Sequence, residues 1–306
     1  MMRLVETFPE FSETEVGDLS EVFNHRRFLE GDDSTRRSIM LRSSESKFGG
    51  EIAYPWDAYF GFSLKPLLRG QDVLDIGCLT GGRSVAWFEQ YELGSMSGID
   101  IKDEYIEAAR QFGAVRGAKT DFRKSVGESL PFDDGTFDAI LTFDVLEHVQ
   151  DVRKALNECY RVLKPGGRLF LVFPSYFHPI EHHLSLVTLT PGIHWLFSPK
   201  TLMTAYCEIL DERGDEAYWY KRSTPELEPW EKLNTINGTT YSQFIKLVRD
   251  TNWKIHTNSR KSIGSIGRNV VKNPLAKILS FLFFPLTFVP GLREVFLHRV
   301  TFILEK

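Results

Sequence analysis

The sequence predicts an α/β fold built on a doubly wound parallel sheet, and three observations carry that prediction. Asp72-Val73-Leu74-Asp75-Ile76 reads as a buried strand running into the turn Gly77-Cys78-Leu79-Thr80-Gly81-Gly82 and then into a helix. A second segment closes on Gly98-Ile99-Asp100, a strand that ends in a carboxylate. Strand and helix patterns then alternate through residue 174, the arrangement that gives a parallel sheet with helices on both faces.

In chain order, strands are predicted at 72–76, 95–101, 119–126, 137–143 and 167–174, and helices at 81–93, 103–113 and 151–163. The 151–163 helix has the clearest signals. Asp151 can cap it, Ala155, Leu156, Cys159, Val162 and Leu163 form one apolar stripe, and Pro165-Gly166-Gly167 ends it. Residues 1–68 precede the sheet with scattered helical signals, and their acidic start gives way to Arg26-Arg27 and Arg36-Arg37. The stretch after the fifth strand is far longer than an ordinary crossover, so part of it is expected to form an inserted cap. Tyr241 to Asp250 reads as a crossover helix, Trp253-Lys254-Ile255 as a sixth strand and Val295 to Leu304 as a seventh.

The glycine turn and Asp100 fall at the carboxyl ends of neighbouring parallel strands, where open α/β sheets bind ligands. Gly77, Gly81 and Gly82 let the backbone turn sharply and approach a ligand, and Asp100 can accept hydrogen bonds from two ribose hydroxyls. A nucleoside-containing cofactor is the reading. A dinucleotide fingerprint would need a second closely spaced glycine where Leu79 stands, and the lysine of a Walker loop is absent.

From Gly127 to Pro174 the chain adds the Leu130-Pro131-Phe132 turn, Phe137-Asp138, Leu146-Glu147-His148-Val149 and Leu163-Lys164-Pro165-Gly166-Gly167. With Asp75, Gly77, Gly81 and Asp100, this succession resembles the class I S-adenosylmethionine-dependent methyltransferases, in the branch acting on small molecules. The resemblance is close over residues 70–175 and loose outside them. It implies a Rossmann-like, seven-stranded, mostly parallel sheet with an antiparallel last strand, here with a helical and aromatic cap insertion. It also implies S-adenosylmethionine as cofactor, held by Asp75, Gly77, Cys78, Leu79, Gly81, Asp100, Ile101, Gly127, Glu128 and Phe143. Leu79 replaces the family's usual middle glycine. Val126 stands where an acidic residue usually meets the adenine, so Glu128 or Ser125 is the substitute contact. The expected organisation is a lid segment at 1–68, a cofactor-binding core at 69–175, a substrate cap at 176–238 and the end of the core sheet at 239–306.

Composition agrees with this class. The 306 residues, 42% of them apolar, suffice for one full α/β domain and a sizeable addition. A formal net charge of −4 argues against a nucleic-acid partner. Three cysteines without paired spacing give neither a disulfide framework nor a zinc site. The first residues contain no apolar run of signal-peptide length, and a cytoplasmic protein is expected, with a position peripheral to a membrane as an alternative.

Methyl transfer from a sulfonium needs alignment and exclusion of water, and a hydroxyl or amine acceptor also needs a base with a pKa near neutrality. His148, five residues beyond the fourth strand, is the first candidate, either as base or as a side chain that only shapes the pocket. Asp144 lies four positions earlier and would orient the ring if both stood on one helical turn. In the cap, His178, His182 and His183 are candidates for acceptor contact, with His182 a second possible base, and Tyr176 joins them. The His178/His182 spacing invites a metal reading, but the pattern matches no zincin motif and no metal is assigned. Trp56, within Tyr54, Trp56, Tyr59 and Phe60, would either close over the sulfonium or pack as a hydrophobic lid.

The partner expected is a small-molecule acceptor, with a sugar-like or secondary-metabolite hydroxyl preferred over a lipid-like or quinone acceptor. A protein that binds the cofactor without turning it over is the alternative from another class. Residues 276–292, AKILSFLFFPLTFVPGL, are too short to span a bilayer and are broken by Pro285 and Pro290. Between Lys254 and His298 stand seven Lys or Arg and one acid, Glu294. Burial in the fold, a pocket wall for a greasy substrate, a homodimer interface and contact with an anionic membrane surface are the open readings of this segment.

Overall fold

A computed structural model describes residues 31–179, 184, 187–188, 190–213, 237–263 and 274–306. The chain enters through α1 (Asp33–Ala53), α2 (Asp57–Phe60) and α3 (Lys65–Leu68). Asp32 caps α1 by accepting the Thr35 N–H at 2.7 Å. The alternating unit follows: β1 (Asp72–Ile76), α4 (Gly82–Tyr91), β2 (Ser95–Asp100), α5 (Asp103–Val115), β3 (Thr120–Lys124), β4 (Phe137–Phe143), α6 (Val152–Val162) and β5 (Leu163–Pro174). After α7 (Ile193–Leu196) and α8 (Pro199–Arg213) come α9 (Tyr241–Arg249), β6 (Lys254–Ser262), α10 (Pro274–Phe283), α11 (Arg293–Phe296) and β7 (Leu297–Glu305).

Among the described residues, the strands form one seven-stranded sheet in the order β3-β2-β1-β4-β5-β7-β6. The first five pair in parallel, and β7 inserts between β5 and β6, antiparallel to both. Alternate strand residues feed two cores. Leu74, Ile140, Leu171 and Phe302 face one side with Leu156 and Phe244, while Val73, Leu141, Phe170 and Val172 face the other with Trp87. Burial on both faces explains why these strands read as continuous apolar runs. Because β1 sits between β2 and β4, the chain winds outward in both directions from it and leaves a crevice at the carboxyl ends of β1 and β4.

Several boundaries differ from expectation. The first crossover helix ends at Tyr91 because Glu92, at φ 55°, caps it in the left-handed conformation. β5 begins at Leu163, which pairs with Phe137. The Lys164-Pro165-Gly166-Gly167 turn is then absorbed as a register shift before Ala139 meets Arg168. β6 is three times the predicted length, running to Ser262. Its sequence KIHTNSRKS is polar except for Ile255, as suits an edge strand, so no alternation marked it. The apolar stretch is not one helix: Pro285 opens a 3-10 turn at Phe284–Phe288, directly after α10.

Candidate cofactor and acceptor site

The turn after β1 is held by short main-chain bonds. Gly77 and Cys78 N–H groups both donate to the Ile99 carbonyl at 2.9 Å, and Gly81 N–H donates to Cys78 O at 2.9 Å. Gly77 has φ 79°, and a Cβ there would lie 2.4 Å from Val145 Cγ2, so no side chain fits. Leu79 also adopts a left-handed backbone, φ 51°. That geometry explains why a glycine suits this position; for an L-residue it costs about 1–2 kcal/mol. Part of the compensation is visible: Leu79 N–H donates to Asp100 Oδ2 at 3.0 Å. From above, α1 fastens the same turn, with Ser44 Oγ donating to Thr80 O at 2.7 Å.

Asp100, at the end of β2, accepts the Ile101 and Lys102 N–H groups on its other oxygen at 2.7 and 3.3 Å. It is 7% exposed, and burial pushes its carboxyl above the usual range while the Leu79, Lys102 and Ile101 N–H groups pull it back. Oδ1 already accepts two N–H groups, while Oδ2 accepts one and keeps a lone pair for a ligand hydroxyl. Beside it Ile101 is exposed, an apolar surface of the kind a purine ring covers. Asp75 is fully buried on β1. Its Oδ2 accepts from Ser84 Oγ at 2.6 Å, and its Oδ1, 3.6 Å from Arg83 Nη2, has no hydrogen-bond partner among the described residues. Burial raises the Asp75 carboxyl to about 6.

Three residues that sequence reasoning passed over complete this side. Arg83 donates to the carbonyls of Gly77 (3.3 Å) and Phe143 (3.4 Å), joining the carboxyl ends of β1 and β4. Its guanidinium lies 4.9 Å from the Trp87 ring centre and 5.6 Å from that of Trp56. Glu51 of α1 accepts from Trp87 Nε1 at 2.7 Å and from Trp56 N–H at 3.0 Å, and burial raises its carboxyl to about 7. Arg83 was legible in principle, since it directly follows the glycine pair. Glu51 was not, because nothing local distinguishes it from a surface acid.

Several expected contacts are redirected. Cys78 and Phe143 are 2% and 1% exposed, so their side chains belong to the core and only their backbones reach the crevice. Trp56 stacks on Phe143 at 4.9 Å and on Tyr59 at 4.6 Å, packing as a lid against the core beside Arg83. Glu128 Oε1 accepts the Gln150 and Asp151 N–H groups at 2.6 and 3.2 Å, holding the entry to α6. Ser125 Oγ donates to Ser129 O, Val126 is exposed and Gly127 is buried.

At the far flank, Asp144 does not share a helical turn with His148. It has φ 55° and, with Val145, links β4 to a 3-10 turn at Leu146–His148, and its carboxylate faces Arg299 of β7, with Nε 3.1 Å from Oδ1. The carboxylate beside His148 is instead that of Glu147, with Oε1 3.8 Å from Nε2. Asn237 ties that turn down by donating to the carbonyls of Leu146 (2.7 Å) and Val149 (2.8 Å). Beyond β5, His178 is buried and stacks on His298 at 4.9 Å, next to Arg299. Tyr176 lies edge-on to His194 at 6.1 Å. His182 and His183 lie outside the described residues. Among those residues, no group of three His, Cys, Asp or Glu could hold a metal ion.

These residues fit S-adenosylmethionine. Asp100 and the exposed Ile101 suit the ribose and the purine, the Gly77–Gly81 turn admits close backbone approach, and the buried Asp75 oxygen with Arg83 marks a polar end to the crevice. A family model for a methyltransferase domain matches residues 74–171. The ubiquinone biosynthesis O-methyltransferase of Xanthomonas oryzae pv. oryzae is 37% identical over 189 residues, 60% of this chain and 71% of that protein. Norajmaline N-methyltransferase of Rauvolfia serpentina is 36% identical over 115 residues, 37% of this chain; the match spans 38% of that relative's length. In fold, the chain is similar to an S-adenosylmethionine-dependent methyltransferase from Mesorhizobium loti, with TM-score 0.50 at 11% identity over 78% of this chain and 92% of that one. It is also similar to a chain from a Haloferax volcanii complex of the Trm112 activator and a methyltransferase, with TM-score 0.51 at 14% identity over 87% and 96% of the two chains. With a 37%-identical relative matched over 71% of its length and a sheet with an inserted antiparallel strand, the chain belongs to the class I S-adenosylmethionine-dependent methyltransferases.

Proposed function

We propose that this chain methylates a hydroxyl oxygen of a small-molecule acceptor. One observation carries the reading: across the β1/β4 crevice from the Asp100 side, the carboxyl ends of β4 and β5 gather polar, titratable groups. Asp144 N–H donates to Val172 O at 2.9 Å, its carboxylate meets Arg299, and His298 and His178 stack beside that pair. The O-methyltransferase relative, matched over 71% of its length, supports oxygen as the methylated atom.

S-adenosylmethionine supplies an activated methyl group on a sulfonium. The chain's own part is to hold the acceptor oxygen in line, exclude water and accept the hydroxyl proton. His148 is the proposed base, and the carboxylate of Glu147 beside it would stabilise the imidazolium once the proton has arrived. Arg299, held by Asp144, would position an acceptor oxygen. His182 and His183 keep their proposed place as acceptor contacts.

The test is product analysis by mass spectrometry after incubation with S-adenosylmethionine and hydroxylated acceptors: sugar-like, secondary-metabolite and lipid-like. Methyl transfer to oxygen, with kcat falling roughly 10²–10⁴-fold in His148→Asn while cofactor affinity is kept, supports the reading. A methyl found on nitrogen, or turnover indifferent to His148, overturns it. A second reading, a lipid-like acceptor such as a quinone precursor, is favoured by the exposed apolar surface at residues 278–289 and by the name of the Xanthomonas relative.

A further inference from the structure

The segment between β6 and β7 has its polarity inside out. In α10 and the 3-10 turn after it, Ile278, Phe281, Leu282, Phe284, Phe288 and Val289 are exposed, Phe281 by 80% and Leu282 by 58%. Two polar residues of the same stretch point inward, and the first, Ser280, meets Ser262 Oγ at 3.0 Å through both its carbonyl and its hydroxyl. Thr287 is fully buried, and its carbonyl accepts from Arg260 at 3.0 Å. A helix facing water would show the opposite arrangement. Contiguous exposed apolar surface of this kind marks a docking site.

Charge identifies the occupant. Of the eight charged side chains between Lys254 and His298, seven are basic. The lone acid, Glu294, is withdrawn from the surface. It accepts Tyr241 N–H and Ser242 N–H, each at 3.0 Å, and the hydroxyls of Ser175 and Ser242. Arg260 stands at the root of the apolar face, 4.5 Å from the Phe288 ring centre. Among the described residues no helix is long and apolar enough to cross a bilayer. Exposed apolar and aromatic side chains, in a segment rich in Lys and Arg whose one acid is withdrawn, match an anionic bilayer: the side chains enter the acyl boundary and the cations meet the headgroups. We propose that residues 278–289 dock this protein on an anionic lipid surface. The docking holds whichever acceptor is methylated.

The experiment is co-sedimentation of the full chain with vesicles of phosphatidylcholine alone and of phosphatidylcholine with phosphatidylglycerol. The wild type should pellet with the anionic vesicles and far less with the neutral ones. Binding should weaken as salt rises from about 0.01 to about 1 M, over which the Debye length falls from about 30 to about 3 Å. Phe281→Glu with Leu282→Glu should reduce partitioning roughly tenfold or more, with unchanged calorimetric affinity for S-adenosylmethionine. Should that pair melt early, Phe281→Ser alone serves. No pelleting with anionic vesicles, or equal pelleting of the variant, overturns the proposal. So does a lipid-free dimer in sedimentation velocity that the variant converts to monomer, because the face would then be a self-interface.

Discussion

Asp100→Asn separates charge from shape at the ribose site. In the wild type both carboxylate oxygens accept main-chain N–H groups, Leu79 on one and Ile101 with Lys102 on the other. An asparagine can keep one of these sets. If its oxygen stays with Ile101 and Lys102, its NH₂ confronts the Leu79 N–H, and the left-handed turn loses the bond that holds it. A ribose hydroxyl then finds a donor where an ionised acceptor stood. Losing one hydrogen bond to a charged group costs about 1.5–3 kcal/mol, so affinity for S-adenosylmethionine and S-adenosylhomocysteine should fall roughly ten- to a hundredfold. Asp100→Ala should do at least as much. Wild-type affinity should also weaken on acidification, because protonation replaces an acceptor with a donor, and burial makes that loss begin at higher pH than for an ordinary aspartate. Isothermal titration calorimetry measures all of this. An Asn variant that binds both ligands within about twofold of wild type would refute the assignment of Asp100 to the ribose, since it implies less than about 0.5 kcal/mol of interaction.

Two further substitutions test the frame around the site. Glu51 is raised from an ordinary 4.5 to about 7 by burial, so its stabilising state is the neutral one: the contribution is complete below pH 4.5 and lost as pH climbs through 7. The full loss is about 3 kcal/mol. Glu51→Gln keeps an acceptor for Trp87 and Trp56, and should flatten the difference in urea stability between about pH 5 and about pH 8 relative to wild type; parallel pH profiles would sink the idea. Glu294→Ala strands the Tyr241 and Ser242 N–H donors at the start of α9 and removes an anion from that helix end, costing about 3 kcal/mol of unfolding free energy. A loss below about 0.5 kcal/mol would mean that water replaces the carboxylate without penalty.

The cofactor half of the site was legible in the sequence because it is local. Asp75, Gly77, Gly81 and Asp100 sit at strand ends whose apolar runs announce them, and the turn closes within a few residues. Leu79 drew notice as the departure from glycine, and its φ of 51° gives the physical content of that departure. Side-chain direction was not legible. Cys78 and Phe143 lie on the right segments yet point into the core, while Glu128 spends its carboxylate on the α6 entry. The inward turn of Ser280 and Thr287, which leaves their apolar neighbours outside, could not be read from a segment apolar nearly all round. Asp144 and His148 have helical spacing, but the left-handed residue between strand and 3-10 turn breaks the face they would have shared.

The proposed acceptor half was illegible for a topological reason. Its polar groups come from chain segments far apart in sequence, brought together by the insertion of β7 next to β5. That pairing sets Arg299 opposite Pro174, which delivers its guanidinium to Asp144 and His298 to His178. Glu294, just before β7, reaches in the same region to Ser175 after β5 and to the first residues of α9. The last strand therefore joins β6 to the sheet, builds the proposed acceptor flank and anchors the root of the apolar segment at once. A change in how residues 278–289 engage a surface has a short covalent and hydrogen-bonded route to the acceptor side through Glu294 and Ser175. The Asp100 side is built from β1 and β2, and its described hydrogen bonds stay within Leu79, Ile101 and Lys102. Docking should accordingly act on acceptor turnover and leave affinity for S-adenosylmethionine unchanged.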